Sequence, residues 1–196
     1  TFYLQRHGGT LCCLHVPNQK SWSSTTAGHA VELLLCGSGG GPHKSYYASS
    51  RVQIGPHRVL ITSEVDACDE LGHLAELKSS AKQDGGTMMN SKNVLQLACN
   101  GSAHVVRCKL NSEETMLLSA EWDATPEVLE RHRETFVYQG QRVRLLLDRI
   151  RAHPLLREDG APCPGGGRVF RLTFDARKLP EIAPAPPEIG VLPRGM

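Results

Sequence analysis

Nowhere does this sequence carry an apolar run approaching the roughly 18 residues that a membrane span needs. Nor does it open on a basic stretch followed by an apolar segment of signal-peptide kind. No membrane-crossing helix and no membrane partner are expected. An excess of charge of one sign is also missing. The net charge is +2, so composition does not announce nucleic-acid binding, and only a local basic patch is left to track a phosphate backbone. The seven cysteines (Cys12, Cys13, Cys36, Cys68, Cys99, Cys108 and Cys163) are odd in number and include no C-x-x-C pair, with no paired histidines close by. A zinc knuckle and a disulfide framework are both disfavoured, and the cysteines read as small hydrophobes of a chain in a reducing compartment. There is no internal repeat. The glycine-rich stretch 37–42 precedes Lys44-Ser45, but the residue before the lysine is His43 and no apolar strand comes ahead, so it reads as a linker rather than a phosphate loop. The sequon Asn100-Gly-Ser102 carries little meaning without a secretory signal.

What is present is a chain of 196 residues, 40% hydrophobic, long enough to bury one core. It begins at Thr1 rather than Met, and its opening residues already read as a strand, so a fragment or processed chain lacking an N-terminal portion is expected. Residues 2–16 predict two strands about Gly8-Gly9. Residues 25–36 predict a helix capped by Thr25 or Thr26, and residues 51–61 a hairpin broken at Gly55-Pro56. Beyond them the pattern predicts a short helix over 90–99 and a hairpin of strands 104–110 and 115–120. Thr125-Pro126 predicts the start of the longest helix, with threonine as N-cap, running to about Ile150. A strand over 168–174 and a proline-rich tail over 180–196 complete the reading. The expected fold class is α+β, a mostly antiparallel mixed sheet flanked by helices, forming one domain over 1–179.

The chemistry concentrates in Ile61–Lys78, where two short apolar runs each carry charge at i and i+2. Side chains alternate along a strand, so Glu64 and Asp66 share one face of the first run, as Glu76 and Lys78 do of the second. If Asp69–His73 turns the chain between antiparallel strands, three carboxylates and an ammonium group meet on one sheet face. Crowded carboxylates repel one another unless a cation neutralises them, and oxygen ligands favour Mg2+ or Mn2+. A lysine beside such ions holds a phosphate oxygen or orients an attacking water. The plain alternative is a solvated hairpin whose charges pair across strands.

An E-x-D strand followed by an E-x-K strand resembles the metal site of the PD-(D/E)xK nucleases. With its flanks, Gly28-His-Ala-Val-Glu32, Glu64-Val-Asp66, Glu76-Leu-Lys78 and Gln96 eight residues before His104, the chain resembles the decapping exoribonuclease (DXO) family in motif order. Here His29 stands where that family usually has an aromatic residue. The resemblance implies a PD-(D/E)xK-like core and two divalent ions, Mg2+ or Mn2+. Glu32, Asp66, Glu76 and the Leu77 carbonyl would hold a metal, and Glu64 a second metal or its water. Lys78 and Gln96 would position the scissile phosphate and the attacking water.

It further implies a nuclear hydrolase that removes pyrophosphate, incomplete caps or NAD caps from single-stranded RNA 5′ ends and then degrades the body 5′ to 3′. Two rivals stand beside it. One is an inactive relative that binds and stabilises a nuclear 5′-to-3′ exoribonuclease, and the other a DNA endonuclease on the same metal core. Arg51, Lys44 and Arg107 are candidate RNA-backbone contacts, although scattered basic residues more often serve as solubilising surface.

Overall fold

Alternation is the rule that builds most of this chain, and the strands it predicts are found where residues of period two recur. The structure, a computed structural model, describes residues 2–7, 10–15, 27–36, 46–81, 89–156, 168–174 and 180–186. In chain order the elements are β1 (Phe2–His7), β2 (Thr10–His15), α1 (Ala27–Cys36), β3 (Tyr46–Ile54), β4 (His57–Val65), β5 (Ala67–Cys68) and β6 (Leu74–Ser80). They are followed by α2 (Ser91–Asn100), β7 (His104–Leu110), β8 (Leu117–Ala124), α3 (Thr125–Arg131), α4 (Arg133–Ala152), a 3-10 turn (Pro154–Leu156), β9 (Val169–Thr173) and β10 (Glu181–Pro184). The protein is α+β with antiparallel and mixed sheets. The expected threonine caps of α1, the 37–42 linker and the candidate RNA contact Lys44 lie outside the described residues.

The chain divides into two compact units, one of residues 1–22 with 148–196 and one of residues 23–147, where a single domain over 1–179 was expected. The first unit holds a four-stranded antiparallel sheet in the order β10-β9-β1-β2, with Leu4, Phe170 and Leu172 buried. Within the 180–196 segment, read as a tail, Glu181–Pro184 is the strand β10. It lies at the sheet edge, where a proline forfeits no ladder bond.

In the second unit β3 and β4 form a hairpin around Gly55-Pro56, and β5-β6-β7-β8 form a mixed sheet in which only β6 and β7 run parallel. Strand alternation sends the two faces of this sheet to different helices. Val31 of α1 is buried with Ala75, Leu77, Val106, Cys108 and Leu110 on one face. Leu97 of α2 packs with Val105 and with Val128 of α3 in a second cluster. Asn90 caps α2 by accepting from the Lys92 and Asn93 amides, each at 3.0 Å. Gly101 ends it at φ 78°, a left-handed value that glycine tolerates, where a β-carbon would also press on Ser50 Oγ.

The long helix expected from Thr125 is two helices, because His132 leaves helical geometry at φ −110°, ψ 26°. Thr125 is not the cap. Its amide bonds the Ala103 carbonyl at 2.9 Å and its buried hydroxyl has no partner, so β8 runs into α3 with Ala124 at the cap position. Gly140 of α4 lines an apolar cavity of about 280 Å³ with Val52, Ile54, Leu95, Phe136 and Val143, and a β-carbon added there would touch nothing within 4 Å. Gly140→Ala is therefore expected to stabilise the fold by about 0.5–1 kcal/mol, read as a raised urea midpoint at unchanged slope. A lowered midpoint would show that the cavity wall cannot take the methyl group.

Candidate functional site

Glu76 and Lys78 are two apart on β6, and because Ala75 and Leu77 face α1, they face α2. On α2, Gln96 and Asn100 are four apart and so share the helix face that meets them. The result is a closed polar cluster. Lys78 Nζ donates to Glu76 Oε1 in an ion pair and to Gln96 Oε1 at 3.4 Å. Gln96 Nε2 donates to Glu76 Oε1 and Asn100 Nδ2 to Glu76 Oε2, both at 2.6 Å. Glu76 is only 2% exposed. Asn100 is itself buried and its Oδ1 accepts from the Ser102 amide, so the sequon asparagine is part of the interior.

Asp66 completes the cluster from the strand edge. β5 pairs with β6 in the register Ala67↔Ala75 and Cys68↔Leu74, and one step further sets Asp66 opposite Glu76. Asp66 Oδ2 accepts from the Leu77 amide at 2.9 Å. Burial raises the Glu76 carboxyl above its ordinary range, and the neighbouring Asp66 pushes the same way while Lys78 opposes both. Glu32 comes from α1, one turn before Cys36. The Cys36 thiol is pushed up by burial first and then by the charges of Glu32 and Asp66, which places both acids around it. Of the cysteines expected to pack as small hydrophobes, Cys108 is buried, its thiol raised by that burial, whereas Cys13, Cys36 and Cys68 are exposed.

Glu64 does not join. The sequence predicts that it shares a strand face with Asp66, but β4 pairs with β3 up to Val65 and stops, leaving Asp66 outside the strand. Glu64 is exposed on β4 opposite Tyr47, and its side chain makes no hydrogen bond or ion pair among the described residues. The structure thus brings together Asp66, Glu76, Leu77, Lys78 and Gln96 and sets Glu32 nearby. Asn100 was missed, although its i+4 spacing from Gln96 was a usable signal.

A second constellation stands at the turn between β5 and β6, where Asp69, His73 and His104 offer ligand atoms that all lie within 4.8 Å of one another. These three residues could hold a metal ion. The absence of paired histidines in the sequence is corrected by the fold, because parallel pairing sets His104 beside Ala75, two residues from His73. Nothing local could have shown it.

Compared with known proteins, the chain matches no family model, and no curated protein is significantly similar to it.

Arg107, a candidate RNA contact, is committed elsewhere. Its Nε donates to Asp123 at 2.6 Å and its Nη2 to Glu121 at 2.9 Å, while Arg131 also bonds Asp123. Burial alone would raise the Asp123 carboxyl, but the two arginines win and hold it below the usual range. A depressed folded pKa contributes stability that is present above the unfolded value of about 3.9 and is lost as pH falls through the lower folded one. Asp123→Asn is expected to cost on the order of 1–2 kcal/mol between pH 5 and 7, and the gap to the wild type should close as the pH falls below about 4. Urea midpoints measured across that range check it. A gap that does not narrow in acid would show that packing, not charge, is at work.

Proposed function

We propose that this chain is a metal-dependent hydrolase acting on RNA 5′ ends, removing pyrophosphate, incomplete caps or NAD caps, on a PD-(D/E)xK-like core. The observation that carries the reading is the joint placement of Gln96 and Lys78 on Glu76. A glutamine with no signal of its own, 18 residues beyond the lysine, bonds the same carboxylate oxygen that the lysine does.

The donor set fits a hard divalent ion. Asp66 and Glu76 stand opposite each other with Lys78 as the bonded cation, and Glu76 is held above its normal range by burial and by Asp66. That is the situation a divalent ion relieves. Glu32, Asp66, Glu76 and the Leu77 carbonyl would hold Mg2+ or Mn2+. When bound, such an ion would polarise the phosphoryl group and stabilise the charge that develops on it. The chain's own residues supply the rest. Lys78 holds a phosphate oxygen and offsets the charge that develops on it, and Gln96, whose amide both donates and accepts hydrogen bonds, orients the attacking water. Lys78, Gln96 and Asn100 exchange their bonds to Glu76 for bonds to substrate or solvent as the site fills. Nuclear location belongs to the same resemblance.

One observation favours a second reading. Both Glu76 oxygens are already satisfied by side chains of this chain, as they would be in a structural polar core of an inactive relative that binds a nuclear exoribonuclease. An assay separates the two. The purified protein is incubated with Mn2+ or Mg2+ and RNA bearing a 5′ triphosphate, an unmethylated cap or an NAD cap, beside Glu76→Ala. Product from the wild type alone supports the hydrolase, and none from any RNA sinks it.

A further inference from the structure

The turn joining β5 to β6 is organised around one carboxylate. Asp69 Oδ1 accepts from the amides of Leu71 at 2.9 Å and His73 at 2.8 Å, and the Asp69 carbonyl accepts from Gly72 at 3.0 Å. These bonds fix the side chain without using Oδ2. That oxygen lies 2.9 Å from His73 Nδ1 and 3.8 Å from His104 Nε2. His104 is held by β7, and its ring stands edge-on between those of His73, centroids 6.2 Å apart, and Trp122, 5.9 Å apart. One ligand is thus oriented by backbone bonds and another by strand and aromatic packing, which is how proteins hold ligand atoms in place before an ion arrives.

We propose that Asp69, His73 and His104 bind a divalent transition ion of the zinc class. Two imidazoles and one carboxylate are a donor set for Zn2+ and its neighbours; Mg2+ and Mn2+ prefer the oxygen-only donors around Glu76. The two sites therefore differ in metal as well as in place. Three protein ligands leave a position for water, and the His73 side chain is 54% exposed, so solvent reaches the ion. Binding replaces the His73–Asp69 hydrogen bond with bonds from both residues to the ion. It also ties the turn to β7, joining across space two residues that share no local sequence. A plain surface Asp–His pair accounts for the 2.9 Å contact alone, and is worth little. It gives no reason for His104 to present Nε2 to the same oxygen.

The test uses the whole chain, in excess Mg2+ to fill the carboxylate cluster, titrated with Co2+ as a coloured substitute for Zn2+. The expected result is one equivalent of visible d–d absorption that Zn2+ abolishes, together with a change in tryptophan emission from Trp122. His104→Ala and His73→Gln should each weaken Co2+ binding by at least about tenfold, while Glu76→Gln leaves it unchanged. His73→Gln lies on an exposed turn and keeps the test decisive where His104→Ala unfolds. No visible bands, bands indifferent to His73, or a near-ultraviolet thiolate charge-transfer spectrum would overturn the proposal. Because Glu76→Gln should spare this site, its failure and that of the hydrolase reading are seen separately.

Discussion

Glu76→Gln is expected to reduce the proposed 5′-end hydrolysis by about two to three orders of magnitude, the effect of removing one preorganised electrostatic group from a reacting site. The substitution preserves volume and changes charge and hydrogen bonding alone. In the wild type Oε1 accepts from Lys78 and Gln96 while Oε2 accepts from Asn100. A glutamine has one acceptor oxygen and one amide nitrogen, so whichever way it turns, a donor confronts a donor inside a buried cluster. The variant also loses the charge that an incoming divalent ion requires and leaves Lys78 with no bonded anion. The measurement is kcat/KM on 5′-triphosphate RNA with Mn2+, alongside circular dichroism to show that the fold persists. An undiminished rate in a folded variant would remove Glu76 from the site.

The residues of that site were legible to different degrees, and the differences have physical causes. Glu76 and Lys78 were legible because strand alternation is a local rule, and β6 obeys it. Asp66 was legible for the wrong reason. The sequence suggested that its strand mate Glu64 would come with it, whereas the strand carrying Glu64 pairs backwards with β3, and Asp66 arrives through the separate two-residue ladder of β5. Which strand pairs with which is decided by non-local packing, and local patterning does not encode it. The same limit hid His73 and His104, which meet only because β6 and β7 run parallel across an intervening helix. Gln96 was legible through a resemblance and not through any property of glutamine. Asn100 could have been found from α2 alone. Thr125 shows the opposite failure, a strong local cap signal overridden when the strand before it runs straight into the helix.

Lys78→Met is expected to destabilise the protein by about 2–4 kcal/mol at neutral pH, and by clearly less when Glu76 is already glutamine. The effect is set by what remains after the lysine is gone. Lys78 contributes an aliphatic stem, which methionine largely replaces, and an ammonium group, which it does not. Without that ammonium, Glu76 keeps hydrogen bonds from Gln96 and Asn100 but faces Asp66 with no bonded cation in a site from which water is almost excluded. An ionised carboxylate left so is costly, and it escapes the cost only by taking up a proton. In the Glu76→Gln background there is no such charge to strand, so the second substitution removes only the remaining contacts. The four urea midpoints of the cycle measure the coupling directly. A coupling well above zero identifies a buried charge pair, which a divalent ion can exploit by taking over part of lysine's electrostatic role. Strict additivity would mean that Lys78 acts by packing, and the electrostatic case for phosphate chemistry at this strand pair would fail with it.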